Sequence, residues 1–318
     1  MSLRMLKFGL LFLIIAFAFC SGANGKRISD IKCEEYRAGT LSEGRVIPLL
    51  RNPRIIQRKM YNCSRAVELI VGGEAARPHE FPHHAILGWP RNDNPDDIED
   101  YEFRCGGSLI SELFVLTAAH CFNEKLRPEI VRLGEHNLED DDGFHHDFSI
   151  AENGIILHPD YKIYASYNDI ALIRLEYEVK ITYFMRPACL WTGPKFNFTK
   201  VIATGFGHNE YMGNHTVVLH KVGLDLMNPQ TCAEDFEYHR KFKAGILRSQ
   251  ICVGSYGGKK DTCQGDSGGP VQVLTDTEGC LHHIVGVTSI GAACGFGSAA
   301  VYTRVSSFID WIESIVWK

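Results

Sequence analysis

The sequence predicts an all-β protein of the antiparallel sandwich or barrel type, with one helix at its C-terminal end. Three observations lead there. From Ile70 onward, short apolar or alternating runs (HAILGW, FVLTAAH, IVRLGEH, DIALIRL, VIATGFG, PVQVL, HIVGVTSI, VYTRV) are broken by Gly, Pro, Asn and Asp, the punctuation of many short strands rather than of βα units. Only the last stretch has a helical period, with Phe308, Trp311, Ile312 and Ile315 at i, i+3, i+4 and i+7. The composition, 45% hydrophobic and 22% charged over 318 residues, suits packed cores and argues against disorder.

The chain divides into three stretches. In residues 1–25, Arg4 and Lys7 precede the apolar run Phe8 to Phe19, which is followed by the small residues Ser21, Gly22 and Ala23. That is the layout of a secretory signal peptide, and the run is too short to span a bilayer comfortably, so a secreted protein without a membrane anchor is expected. Residues 26–69 are polar, basic in places, interrupted by Pro48 and Pro53, and read as a pro-segment without a core of its own. Residues 70–318 hold the strand pattern. Of eleven cysteines, Cys20 lies in the signal region, which leaves an even number for an oxidising compartment. The net charge of −5 becomes more negative once Arg4 and Lys7 are removed, and no basic stripe interleaved with aromatics is read in the sequence, so a nucleic-acid partner is not expected.

Peptide hydrolysis by a hydroxyl needs a held nucleophile, a base, a group that orients the base, and donors for the oxyanion. Gly265-Asp266-Ser267-Gly268-Gly269-Pro270 sets a serine among glycines, where the backbone bends sharply and a substrate carbonyl can approach amide groups. Ser267 is the candidate nucleophile, and the amides of Gly265 and Ser267 the candidate oxyanion donors. Thr117-Ala118-Ala119-His120-Cys121 ends one apolar run, and Asn168-Asp169-Ile170-Ala171-Leu172 opens another. His120 is the candidate base and Asp169 its orienting carboxylate. Each motif alone is weak, but the chain order His, Asp, Ser distinguishes this set from the orders found in subtilisin and the α/β-hydrolases.

With those motifs, residues 70–318 resemble a complete trypsin/chymotrypsin-family serine protease domain. The resemblance implies two packed six-stranded antiparallel β-barrels with the active site in the crevice between them, His120 and Asp169 coming from the first and Ser267 from the second. The C-terminal helix is expected to cap the second barrel. Ile70-Val71-Gly72-Gly73 matches the family's mature N-terminus. The implied switch is a cut between Leu69 and Ile70, after which the new ammonium of Ile70 pairs with the Asp266 carboxylate and sets the oxyanion loop.

The same resemblance places Asp261 at the floor of the specificity pocket, where its charge selects Arg or Lys. Gly291 and Ala300 line the pocket, and the backbone of Ser289 and Gly291 pairs with the substrate as an added strand. Ile290 and Ala300 depart from the usual aromatic and glycine. An enzyme that cuts after basic residues cannot readily cut its own Leu69, so an upstream protease cutting after Leu is implied, with a downstream zymogen as substrate and serpin-type inhibitors as partners. This pattern resembles the arthropod CLIP-type zymogens of haemolymph cascades, the snake-like ones in particular, although two cysteines are too few for a full clip module. The alternatives are a non-catalytic homologue acting as adaptor, which would be expected to have lost a triad member, and a digestive trypsin.

By resemblance, Cys105 pairs with Cys121, Cys232 with Cys252, Cys263 with Cys294, and Cys63 with Cys189, leaving Cys33 and Cys280 unassigned. Asn62, Asn197 and Asn214 lie in glycosylation sequons. No cofactor is required, but the acidic stretch from Glu135 to Asp142 corresponds to the family's calcium loop and is a candidate structural Ca²⁺ site, with a solvated acidic loop as the alternative. The His-His pairs at 83–84, 145–146 and 282–283 lack the spacing of a metal site.

Overall fold

A computed structural model describes residues 25–39, 41–46, 56–61, 73–91, 101–140, 143–207, 216–255, 266–276, 281–290 and 299–318. Residues 26–69 contribute helix α1 (Ile28–Ala38) and the antiparallel pair β1 (Leu41–Val46) and β2 (Ile56–Tyr61). A two-residue strand, β3 (Glu74–Ala75), leads into the first barrel.

The first barrel is built from β4 (His84–Pro90), β5 (Tyr101–Leu109), β6 (Phe114–Thr117), β7 (Ile130–Leu133), β8 (His146–Leu157) and β9 (Ala171–Leu175), closed in the order β4-β5-β6-β9-β8-β7. Its interior is aliphatic, with Leu87, Leu109, Leu116, Leu133, Leu172 and Ile173 fully buried. The second barrel comprises β11 (Lys200–Gly205), β12 (His220–Leu226), β13 (Gln250–Gly254), β14 (Pro270–Asp276), β15 (Leu281–Ile290) and β16 (Ala300–Arg304), and the β15–β16 pairing closes the ring. Short β10 (Cys189–Leu190) joins β15 in parallel, β3 pairs with β12, and helix α2 (Pro229–Asp235) follows β12. Asn228 starts α2 by accepting from the Gln230 amide, with Pro229 as the first helical residue.

The C-terminal helix α3 (Ile309–Val316) corrects one expectation. Phe308, Ile309 and Ile312 belong to the apolar core of the first barrel, and Trp311 and Phe308 meet His158 at ring separations of 5.0 and 5.2 Å. The helix therefore caps the first barrel: the chain leaves β16 through the turn Val305–Ser307 and crosses the seam, taking its apolar face to the larger core.

Helix α1 packs on the barrel residues and on α3. Tyr36 is buried there, its hydroxyl donating to Glu112 at 3.3 Å, and Thr192 donates to Asp30 at 3.1 Å. Arg27 and Ser29 both reach Glu313 of α3, at 3.1 and 2.6 Å.

Candidate active site

Two adjacent strands bring the histidine and the aspartate together. β6 runs into a short 3₁₀ turn over Ala119–Phe122 that carries His120, and Asp169 immediately precedes Ile170 and β9. Because Thr117 pairs with Ala171, the two side chains emerge at the same end of the barrel. The Cys105–Cys121 disulfide fastens the turn to β5. Asn168 takes a left-handed conformation, φ 54°, and its amide donates to the Asp160 carbonyl at 3.2 Å, so the chain reverses just before Asp169.

Asp169 is only 2% exposed. Its Oδ1 accepts from the His120 backbone amide and its Oδ2 from His120 Nδ1, both at 2.8 Å, while the Ser289 hydroxyl also donates to Oδ2. Thr303 Oγ1 donates to the Asp169 carbonyl at 2.8 Å. Burial by itself pushes the carboxyl up, but the His120 imidazole and the donors from His120 and Ser289 outweigh it and hold it below the ordinary carboxylate range. With Nδ1 donating to a carboxylate, Nε2 of the neutral ring is left as the acceptor, which is the tautomer a general base requires.

Ser267 lies on the far side of the seam. The Gly106 amide of β5 donates to the Ser267 carbonyl at 2.8 Å, and the Cys121 sulfur lies 3.9 Å from that oxygen, so the backbone of the candidate nucleophile rests against the disulfide next to His120. Gly268 has φ 77° and donates to the Thr288 carbonyl at 2.9 Å. A Cβ there would stand 2.6 Å from the Gly106 carbonyl oxygen and run into the Thr117 hydroxyl, so only glycine fits both the backbone angle and the space.

Asp266 accepts from the Gly207 amide at 3.0 Å. A Cβ on Gly205 would collide with the Asp266 carboxylate, and one on Gly207 would lie 2.7 Å from Oδ1. The two glycines thus form the slot that receives this side chain. Ala300 is buried on β16 opposite Val253, and Ser289 is buried near the end of β15. Gly265, Asp261, Gly291, Leu69, Ile70, Cys263, Cys294, Cys280, Cys63, Asn62, Asn214 and Asp142 lie outside the described residues. Asn197 is exposed.

Cys232 and Cys252 are joined, with sulfurs 2.03 Å apart. Cys189, however, is bonded to Cys33 and not to Cys63, with Cα atoms 5.0 Å apart across the α1–β10 contact. The packing of α1 decides this: once Asp30 and Tyr36 are seated, Cys33 faces β10, and a half-cystine takes one partner.

The donor set at Glu135 does not fit a Ca²⁺ ion. Its Oε1 accepts from the amides of His136 and Asn137 at 2.9 and 3.0 Å, and Oε2 faces Arg132 at 3.3 Å and His145 at 3.5 Å. Burial pushes this carboxyl up despite His145 and Arg132. A hard cation wants several oxygen donors, and here nitrogen donors surround the carboxylate.

Sequence reasoning did not identify the Ser289 hydroxyl, Thr303, Thr117 or the Gly205/Gly207 slot as parts of the site. The slot had a signal in Thr204-Gly205-Phe206-Gly207, two glycines flanking one aromatic at a strand end. The hydroxyls had none, because isolated Ser and Thr on strands read as ordinary sheet residues.

Comparison with known proteins places this geometry. A family model described as Trypsin matches residues 70–312. Serine protease snk of Drosophila melanogaster is 41% identical over 92% of this chain and 66% of its own length, and serine protease Hayan of the same organism is 38% identical over 78% of this chain and 39% of its own. Phenoloxidase-activating factor 1 of Holotrichia diomphalia is 33% identical over 83% of this chain and 74% of its length. The chain thus spans less than two thirds of the length of the two Drosophila relatives. No helix among the described residues is long and apolar enough to cross a membrane.

Proposed function

This chain belongs to the trypsin family of serine proteases, and from that premise we propose that it is a secreted endopeptidase zymogen. A cut between Leu69 and Ile70 opens it, and it then hydrolyses peptide bonds after Arg or Lys in an extracellular cascade. The observation that carries this reading is the two-donor grip of His120 on the buried Asp169, at 2.8 Å each, with Ser289 of the other barrel as third donor.

The chemistry follows from those groups. Ser267 Oγ attacks the scissile carbonyl carbon as His120 Nε2 takes its proton; the imidazolium that results is stabilised by Asp169, which stays ionised. The carbonyl oxygen becomes an oxyanion held by the amides of Gly265 and Ser267. His120 returns the proton to the leaving amine, and water then cleaves the acyl-enzyme by the same steps. Every role is filled by a group of the chain, so no cofactor is invoked.

The regulation is a charge problem. The slot between Gly205 and Gly207 holds the Asp266 carboxylate beside the nucleophile, and cleavage supplies the Ile70 ammonium to neutralise it. Asp261 selects the basic side chain. Because such a pocket disfavours Leu69, a second protease acts upstream, and relatives named as a phenoloxidase-activating factor and a clotting factor subunit support a cascade setting with a downstream zymogen as substrate. A reactive Ser267 also makes the enzyme a target for serpin-type inhibitors.

The test is to cut the purified zymogen after Leu69 with a chymotrypsin-like protease and compare arginyl with leucyl chromogenic peptides. Hydrolysis of the arginyl peptide alone, abolished by Ser267→Ala, is expected. Absence of hydrolysis of both peptides overturns the reading.

A further inference from the structure

We propose that the face formed by residues 158–168 and 236–248 docks an acidic segment of the protein substrate, outside the residues that enter the cleft. The proposal rests on the protease reading for the identity of the chain that docks, while the surface itself is built in the uncut molecule.

The two loops form one platform. The Ser166 amide donates to the Lys241 carbonyl at 3.1 Å, and Gln250 Nε2 donates to the Ser166 carbonyl at 2.8 Å. Tyr167 donates its hydroxyl to the Gly245 carbonyl at 3.1 Å and accepts from the Ala244 amide at 2.8 Å. Successive turns are closed by His239 to Phe236, Phe242 to His239 and Gly245 to Phe242, at 3.0, 2.9 and 2.8 Å. Phe236 and Phe242 are buried beneath, with ring centroids 5.1 Å apart. A backbone bonded this fully needs little ordering when a ligand binds.

The cations stand on the outside of that platform. Arg240, Lys243 and Arg248 are exposed, Lys241 is half-buried, and all four fall between positions 240 and 248. Among the described residues no carboxylate lies within ion-pairing distance of any of them, whereas Arg27, Arg104, Arg132, Lys200 and Lys221 all have such partners. The nearest acids in sequence, Glu234, Asp235 and Glu237, lie at the end of α2 or just beyond it; Asp235 accepts from the Ala299 amide at 3.1 Å and Glu234 faces Gln230. Lys125, Lys162, Arg174, Lys180 and Lys195 also have no ion pair among the described residues but are scattered along the chain, whereas Arg240, Lys241, Lys243 and Arg248 gather in one loop; the exposed carboxylates Asp160 and Glu237 share the face without pairing to them. Such a gathering of cations attracts and orients an acidic partner.

Position and apolar content favour a substrate peptide over a sulfated polysaccharide. Asp169 follows directly from the platform's Tyr167 and Asn168, so the surface is continuous with the candidate active site. Tyr238, 90% exposed, lies two residues before Arg240, and Tyr164, 71% exposed, lies on the other loop of the platform, so residues 236–248 form a basic stretch interleaved with aromatics that the sequence reading passed over, with apolar area for peptide side chains.

The test measures binding without catalysis. The uncut full-length chain carrying Ser267→Ala is titrated against a fluorescein-labelled glutamate-rich peptide and a glutamine-rich peptide of equal length, following anisotropy. The glutamate peptide is expected to bind, and its affinity to fall about tenfold or more in Arg240→Glu/Lys243→Glu/Arg248→Glu and at raised salt. The milder Arg240→Gln/Lys243→Gln/Arg248→Gln set, checked for an unchanged melting temperature, guards against misfolding and is expected to weaken binding in the same direction. Equal binding of the two peptides, or unchanged affinity in both variant sets, overturns the proposal. Tighter binding of heparin than of the glutamate peptide, lost in the same variants, overturns the choice of a peptide. Failure of the protease reading appears separately, as inactivity of the cut wild type toward a small arginyl peptide.

Discussion

The Ser289 hydroxyl donates to the same Oδ2 of Asp169 that accepts from Nδ1 of His120, so a strand of the second barrel completes the hydrogen bonding of a carboxylate that belongs to the first. In Ser289→Ala, Asp169 keeps both donors from His120. The expected loss in kcat/KM is therefore limited, a few-fold and under about tenfold, the worth of one charged hydrogen bond partly replaced. The acid limb of the pH profile is expected to move upward, because a donor that stabilises the ionised form is gone. An acid limb that stays in place would show that Ser289 does not act through Asp169.

Gly205 tests the activation slot. Its missing side chain leaves the space that the Asp266 carboxylate occupies. Gly205→Ala is expected to dislodge Asp266 and with it the oxyanion amides, lowering kcat/KM of the cut enzyme by about 10²- to 10³-fold, the cost of a misplaced oxyanion donor. Thermal unfolding of the variant shows whether the barrel survives. A folded variant with the wild-type rate would remove the slot from the mechanism.

The Cys33–Cys189 bridge closes a sequence separation of 156 residues and fixes α1 to β10. Cys33→Ser removes that constraint while leaving the contacts of Arg27 and Ser29 with Glu313 and of Asp30 with Thr192. A destabilisation of about 2–4 kcal/mol is expected, read as a lower melting temperature. Amide exchange over residues 28–38 is expected to speed up more than exchange in the barrels. Equal protection of α1 in variant and wild type would show that the polar contacts alone hold it.

Acid lability follows from imidazoles buried at the seam. Burial lowers His83 and His84 to about 3, and holds His282 well below its ordinary value; the rings of His83 and His282 lie 5.2 Å apart. In the unfolded chain these groups take up protons near pH ~6.5, whereas in the folded chain they resist until far lower pH. Stability is therefore full above about pH 6.5 and falls as pH drops below it, by up to about 4 kcal/mol per pH unit if all three protonate on unfolding. Urea unfolding between pH 7 and pH 4 measures this, and a flat midpoint across that range would contradict it.

How legible the molecule was in its sequence depends on how local each signal is. The strand runs from HAILGW to VYTRV and the helical period at Phe308, Trp311, Ile312 and Ile315 are local patterns of apolar spacing, and both elements formed where the spacing put them. Which barrel the helix covers is a matter of the path after Arg304, and the period carries no information about it. The motifs around His120, Asp169 and Ser267 were readable because each needs an unusual neighbour: a cysteine, a chain reversal or a run of glycines. The roles of Ser289, Thr303 and Thr117 arise only when distant strands meet, and nothing near them in the chain marks them. Helix α1 was missed for a related reason: its buried Tyr36 and bonded Cys33 face the protease region, so its pattern makes sense only against that surface. The buried pair His83 and His282 likewise comes from distant parts of the chain, the turn before β4 and strand β15.

One labelling experiment bears on everything above. The purified chain, before and after the cut between Leu69 and Ile70, is treated with a fluorophosphonate and the modified residue located by mass spectrometry. The expected result is a single adduct on Ser267 that forms rapidly only in the cut protein and is suppressed in His120→Ala. Labelling at the same slow rate before and after the cut, or an adduct on another residue, would contradict a serine made reactive by His120 and Asp169 and released by cleavage.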